Sequence, residues 1–403
     1  MMSANAAMPW RRNLRLLWGG HLLSTASLTA IVPFLPMFME QLGEKEHVIG
    51  WSGLALAAPA VSYSLTAPLW GKLGDRIGRK WMVVRALAGI AVLLILMSFI
   101  QTAMQLLVLR LLQGALGGVV DAGVAFAAGS VQENQRGKTL GMLDGAVAAG
   151  SFLGPLLVGL LWEPVGFRSL MLACGSLLLL WSMFCAVGLK EGERNRGIPV
   201  NRKREVRAVL RQLLSDRRCA AFLAAGICVN MGAYGLVTVF APRVREMTEL
   251  SGHAAMWIGI LQGVTWAASW VAASWWGKRN DRFPVERNFA IAAALCGVAV
   301  MLQGFANTPE WLIGLRLLQG FAFSALLQSV FYVVCRTIGE NERGAGIGSA
   351  SSLLVVGQIA GPLISGVLGS MLSTTLIFVQ FGAIFGIGAI LVLTVSRPRL
   401  IYR

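Results

Sequence analysis

The chain has 403 residues, 56% of them apolar and only 13% charged, with a mean hydropathy of +0.66. A soluble domain is roughly 45–50% apolar and about 25% charged, so a soluble enzyme, a disordered tail and a disulfide-stapled secreted domain are excluded. The balance of 35 Lys and Arg against 19 Asp and Glu, net +16, would suggest nucleic acid in a soluble protein. Here the cations lie in short loops on one side of apolar runs, so a polytopic membrane protein in a lipid bilayer is expected, with no nucleic-acid partner.

Arg11, Arg12 and Arg15 precede an apolar stretch too long for a signal-peptide core and without a small-residue cleavage site, so it reads as a first span. With about 20 mostly apolar residues needed per crossing, twelve spans follow in chain order. They are 14–39, 50–70, 82–100, 105–128, 138–161, 168–189, 219–242, 254–276, 288–306, 311–335, 344–369 and 374–395. With the N-terminus inside, the inner loops and tails hold 28 of the 35 Lys and Arg. The outer loops hold four (Lys45, Arg168, Arg243 and Arg245), and Arg85, Arg110 and Arg316 lie within spans. The asymmetry predicts two cytoplasmic termini and an even number of spans.

The loop 190–218 carries ten Lys and Arg with four acids and divides the chain into 1–189, the basic linker 190–218 and 219–403. Within it KREVRAVLRQLL reads either as an amphipathic helix along the inner membrane surface or as a solvated linker. The six cysteines show no CxxC pairing and no His at ligand spacing, so they read as small buried residues; neither a metal nor a cofactor is expected.

An internal repeat joins the two parts. LRLLQG occurs at 109–114 and again at 315–320, an offset of 206. At the same offset Trp70, Gly71, Lys72, Asp75 and Arg76 match Trp276, Gly277, Lys278, Asp281 and Arg282. One inserted residue later Arg136, Gly150, Gly154, Pro155 and Gly159 match Arg343, Gly357, Gly361, Pro362 and Gly366. Three segments in one register make the chain a six-span unit duplicated in parallel, the arrangement of secondary transporters that work by alternating access.

The connection between spans two and three reads GKLGDRIGRK, Gly71 to Lys80. Gly71, Gly74 and Gly78 are expected to permit a tight turn, while Arg76, Arg79 and Lys80 face the anionic inner leaflet. The string resembles the signature loop of the major facilitator superfamily at every position. The resemblance implies an all-α fold of twelve transmembrane helices in two six-helix repeats. It also implies that Asp75 and Arg76 form a conformational clasp with Gly71, Gly78, Arg79 and Lys80. The second copy, GKRNDRFPVE, keeps Asp281 and Arg282 but has Pro284 and Glu286 where the first has Gly78 and Lys80, which gives its clasp less weight.

Span four carries LVLRLLQGALGG. A buried Arg110 is expensive in lipid and must face a cavity or a partner; with Gln113, Gly114 and Gly117 it matches the family's fourth-helix arginine motif, and Arg316 repeats it in span ten. Asp121, 11 residues on, is expected to face the same way as Arg110 on a straight helix, about 16 Å away. It reads as a partner of Arg76, as a protonation site, or as a snorkelling residue. Asp144 is the one other acid within a span and a second proton-site candidate. His21 in span one reads as a titrating group or, more simply, as a packed one.

Gly145, Gly150, Gly154, Pro155 and Gly159 in span five put small residues at helical spacing, where helices touch backbone to backbone. GAVAAGSFLGP also resembles the glycine-proline motif of exporters in the superfamily, called the antiporter motif. With IVPFLPMFMEQLG in span one, it points to the twelve-span drug:proton antiporter branch. Asn230 and Tyr234 in span seven, and Gln328 and Tyr332 in span ten, are substrate-cavity candidates. No GxxxxGK[ST] and no HExxH is present, so neither ATP as fuel nor an enzyme is expected. The expected partners are a small-molecule substrate and protons, and the expected state is a monomer in the bacterial cell membrane. Beside drug efflux stand export of an endogenous metabolite such as a siderophore or sugar, and a transporter-like sensor that binds without carrying.

Overall fold

The computed structural model describes residues 7–130, 133–191, 202–248, 252–339 and 342–395, and these are helical apart from short connections. The first helices are α1 (Ala7–Ile31), α2 (Leu35–Gln41), α3 (Val48–Ile77), α4 (Arg79–Met97), α5 (Ala103–Leu116), α6 (Val119–Ser130), α7 (Glu133–Val165) and α8 (Phe167–Gly188). There follow α9 (Arg202–Ser215), α10 (Arg217–Thr248), α11 (Ala254–Arg282), α12 (Val285–Gln303), α13 (Pro309–Thr337), α14 (Arg343–Leu368) and α15 (Thr374–Leu393). Among the described residues twelve stretches are long and apolar enough to cross a membrane. Outward-facing Leu65, Val187, Val271 and Trp311 are each more than two-thirds exposed, a surface that suits lipid rather than water. The twelve-span all-α architecture expected from hydropathy is the architecture observed.

Local chemistry sets the helix boundaries. At the start of α5, Thr102 accepts from the Gln105 backbone N–H while the Gln105 side chain accepts from Thr102 N–H, a reciprocal cap of two orphan donors. The proline-containing turn Val32–Phe34 separates α1 from α2 within one crossing. Prolines inside long helices do not end them: α7 continues through Pro155 and α14 through Pro362.

The chain divides into two compact units, one of Met1–Gly197 with His253–Gly263 and the other of Ile198–Gly252 with Val264–Arg403. In the first, α1 packs on α7, α4 on α8 and α3 on α5. An aromatic cluster joins Phe34, Phe38, Trp162 and Phe167, with ring centroids 4.6 to 6.3 Å apart. In the second unit α10 packs on α14 and α12 on α15, the same two pairings about two hundred residues later, and α12 packs on α13 as α4 packs on α5.

Of the basic linker, 192–201 lies outside the described residues, and α9 covers the segment read as either amphipathic helix or solvated linker. Its Val209 and Leu213 are buried, α9 packs on α14 and α10, and Gln212 donates to the Thr337 carbonyl at 3.1 Å.

Candidate functional site

The segment Gly71–Lys80 is not a loop. α3 runs on as helix to Ile77, and the connection to α4 is the single residue Gly78 at φ +115°. This corrects the expected three-glycine turn: Gly71 faces open space, Gly74 lies against Met82, and only Gly78 uses the conformational freedom of glycine. The side chain of Asp75 lies outside the described residues, and Arg76 is exposed. Glu191, which the sequence did not single out, closes the junction. Its carboxylate accepts from Arg79 N–H at 2.8 Å and Lys80 N–H at 3.4 Å, an anion on the N-terminus of α4. The Arg79 side chain donates to the Ala125 carbonyl at 2.8 Å, and Lys80 lies 5.4 Å from the Trp81 ring centre.

In the second copy Asp281 and Arg282 are exposed at the end of α11. The neighbouring order comes from amides instead: Asn288 donates to Asn280 at 2.9 Å, and Asn280 to Ser329 at 3.2 Å.

Arg110 is 4% exposed. Its Nε donates to the Ala55 carbonyl at 2.9 Å and its Nη1 to Gln113 at 2.6 Å. A membrane cation is thus met by neutral oxygens rather than by an acid. Arg316, equally buried, donates to Gln319 at 3.2 Å and lies over the Phe240 ring at 3.5 Å; its Nε has no hydrogen-bond partner.

Span four is broken between α5 and α6 at Gly117 and Gly118, the latter at φ +91°. The straight-helix expectation that placed Asp121 in phase with Arg110 fails at this break. Asp121 sits in the first turn of α6 and accepts a hydrogen bond from the Tyr63 hydroxyl of α3. Its described partner is Tyr63; a bond to Arg76, one of the three readings of this residue, is not among those described. Across the break the last carbonyls of α5 are held by neighbours. Trp70 Nε1 donates to Ala115 at 2.6 Å and Thr66 donates to the same oxygen at 3.2 Å. Arg85 of α4 donates to Leu116 at 3.1 Å and Gly117 at 3.0 Å, its guanidinium 3.6 Å from the Trp70 ring centre.

In α7, an added Cβ at Gly150 or Gly154 would run into the α1 backbone at Leu22–Ala26, so these two residues permit backbone-to-backbone contact. Pro155 is buried beside them. Gly159 is against Ala255 and Gly259 of the same unit, whereas Gly145 has nothing within 4 Å and takes no part. Asp144 is exposed on α7. His21 is 1% exposed, and the absence of a Cβ at Gly123 leaves room for its ring.

Asn230 is buried, and its amide donates to the Leu354 carbonyl at 3.1 Å, which commits that amide to packing α10 on α14. Tyr234 is 37% exposed. Gln328 lies against Gly277, its Oε1 unpartnered. Tyr332 carries the Arg336 guanidinium 4.6 Å from its ring centre. No described hydrogen bond joins these four residues. Among the described residues no group of three His, Cys, Asp or Glu is placed to hold a metal ion.

Twelve apolar crossings in two repeated six-helix sets, with a buried arginine in each set and a broken span in the first, are the architecture of a multi-pass membrane transporter. The family model of the Major Facilitator Superfamily matches residues 17–273 and 223–401, and the chain belongs to that superfamily. It is 37% identical over 384 residues to the Staphyloferrin B transporter of Staphylococcus aureus, covering 94% of this chain and 92% of that one. It is 29% identical over 395 residues to the multidrug resistance protein MdtG of Salmonella arizonae, covering 96% and 97%. Among solved structures, a bacterial homolog of the human lysosomal transporter Spinster has a TM-score of 0.77 at 14% identity, covering 97% of this chain and 99% of that one. The nucleoside transporter NupG has a TM-score of 0.79 at 12% identity, covering 96% and 100%. At such identities the two structures speak to the fold alone.

Proposed function

We propose that this protein is a proton-coupled exporter that moves its cargo out of the cell by alternating access, with both termini in the cytoplasm. Export is supported by the resemblance of GAVAAGSFLGP in α7 to the exporter motif and by the 29% identity to the multidrug resistance protein MdtG; the packing of Gly150 and Gly154 on α1 recurs in the second copy and serves the architecture. In this reading Asp75 and Arg76, with Gly71, Gly78, Arg79 and Lys80, form the cytoplasmic clasp; Asp281 and Arg282 form its weaker second copy.

Asp121 is the favoured proton carrier and Asp144 the alternative. A carboxyl group that shuttles a proton must exchange partners during the cycle, and Asp121 already has a partner to lose in Tyr63. Arg110 supports the site as a fixed buried cation. One proton crossing about 100 mV supplies about 2.3 kcal/mol, and one pH unit adds about 1.4 kcal/mol. Together they sustain a gradient of a few hundred-fold without ATP.

Two cargo readings remain. An endogenous siderophore is supported by the 37% identity to the Staphyloferrin B transporter; a lipophilic drug is supported by the 29% identity to MdtG. A deletion strain separates them. Siderophore retained in the cells with unchanged drug susceptibility selects the first, and drug sensitivity with unchanged siderophore secretion the second. In reconstituted vesicles an imposed pH gradient should drive accumulation of the cargo so identified. Accumulation that needs ATP and survives a protonophore overturns proton coupling.

A further inference from the structure

The repeat supplies an internal control. What both copies keep serves the shared architecture; what one copy alone has was made for a task that only that copy performs. Trp70 donating to Ala115 recurs as Trp276 donating to Phe321 at 2.8 Å. The close approach of Gly114 to the Pro59 carbonyl recurs as Gly320 on Thr265. The break in span four does not recur: α13 is continuous from Pro309 to Thr337. At offset 206 Tyr63 is replaced by Ser269 and Arg85 by Ile291. The stretch corresponding to Gly117 and Gly118 is Phe323, Ser324 and Ala325, and Asp121 gives way to Leu327 or Gln328, according to where the inserted residue falls.

The first copy therefore spends two glycines and three polar side chains on a break the second copy does without. The charges have the signs that a break requires. Arg85 places a cation on the C-terminal carbonyls of α5, and Asp121 places an anion in the first turn of α6, each opposite to the helix partial charge it faces. Tyr63 joins the two sides. Its ring lies against Gly118 and its hydroxyl donates to Asp121.

We propose that Tyr63 and Arg85 are positioning residues of the proton-linked step: they hold span four in its broken form, and protonation of Asp121 releases α6 from Tyr63. The proposal rests on the reading of Asp121 as the proton carrier. A neutral carboxyl group offers Tyr63 a weaker acceptor than a carboxylate, and it no longer complements the α6 N-terminus. Arg85 holds the last carbonyls of α5 independently of Asp121, so the movement falls on α6. Other titratable groups at α6 are His21 of α1, opposite Gly123, and Arg79 of α4, on the Ala125 carbonyl. Neither has a described bond to Asp121, and Asp144 of α7 has none to α6.

The test is amide hydrogen exchange of the full-length protein in lipid vesicles at acidic and alkaline pH, corrected for the intrinsic rate. In the wild type, residues 119–127 should exchange about tenfold faster at acidic pH. Asp121→Asn and Tyr63→Phe should show the fast rate at both pH values. Arg85→Lys should retain the pH response, while Arg85→Met should lose protection across 115–118 at both. The matching stretch of α13 should change in none of them. Wild-type exchange that ignores pH, or unaltered protection in Tyr63→Phe, overturns the proposal. A pH-responsive α6 in vesicles that show no proton-driven transport supports this device while refuting the exporter reading.

Discussion

Asp121 and Asp144 are the two acids within the spans read from hydropathy, and their surroundings divide them. Both are exposed, but Asp121 accepts from Tyr63 at a helix break, whereas Asp144 has no described hydrogen bond and lies on an unbroken α7. Only the first is placed so that gaining a proton alters what the backbone nearby can do. Asp121→Asn should therefore abolish proton-driven transport while leaving equilibrium cargo binding intact and insensitive to pH. Full transport by that variant beside a dead Asp144→Asn would reverse the assignment. Acids and Arg110 were legible in the sequence because ionisable residues stand out in an apolar run. Tyr63 was not, because a tyrosine on one helix and its acceptor 58 residues later leave no periodic trace. Glu191 was hidden for the same reason, capping α4 from 112 residues away.

Helices were read well from hydropathy, and their interruptions were not. The expectation of a turn at Gly71, Gly74 and Gly78 treated glycine as a breaker, yet α3 passes through the first two. A glycine permits a turn without forcing one, and the helix ends only where a positive φ is used, at Gly78. In span four the reverse holds: a straight helix is expected from Arg110 to Asp121, and the structure breaks it at Gly117 and Gly118. Gly118, at φ +91°, forecasts a measurable cost. Gly118→Ala should destabilise the protein by about 1 kcal/mol or more, read as a lower melting temperature, with a larger loss in transport rate than in cargo affinity. Gly145→Ala, with nothing within 4 Å, should be close to neutral in both. At the α3–α4 junction Asp75→Asn should reduce transport far more than Asp281→Asn, since only the first junction keeps its glycine hinge and its Glu191 cap. Equal losses in a vesicle transport assay would show that the two clasps carry equal weight.

Duplication ties these scales together. The repeat was visible as matched strings, but strings do not say which matches bear on packing and which on work. The structure separates them. Gly154 lies on the Ala26 carbonyl and Gly361 on the Met231 carbonyl, each where α7 or α14 crosses the first membrane span of its own unit. A side chain at either place must push two backbones apart, and overpacking of this kind costs about 1–3 kcal/mol. Gly154→Val and Gly361→Val should therefore lower the melting temperature by similar amounts, since both defend the same contact in two copies. Tyr63→Phe and Ser269→Ala, at matched positions with unmatched partners, should not behave alike. The first should impair proton-driven transport at nearly unchanged melting temperature, and the second should leave transport largely intact. A large stability difference between the two glycine variants would mean that the halves have diverged in packing as well as in chemistry. The first copy could not then be read as a scaffold with a proton-linked break added to it.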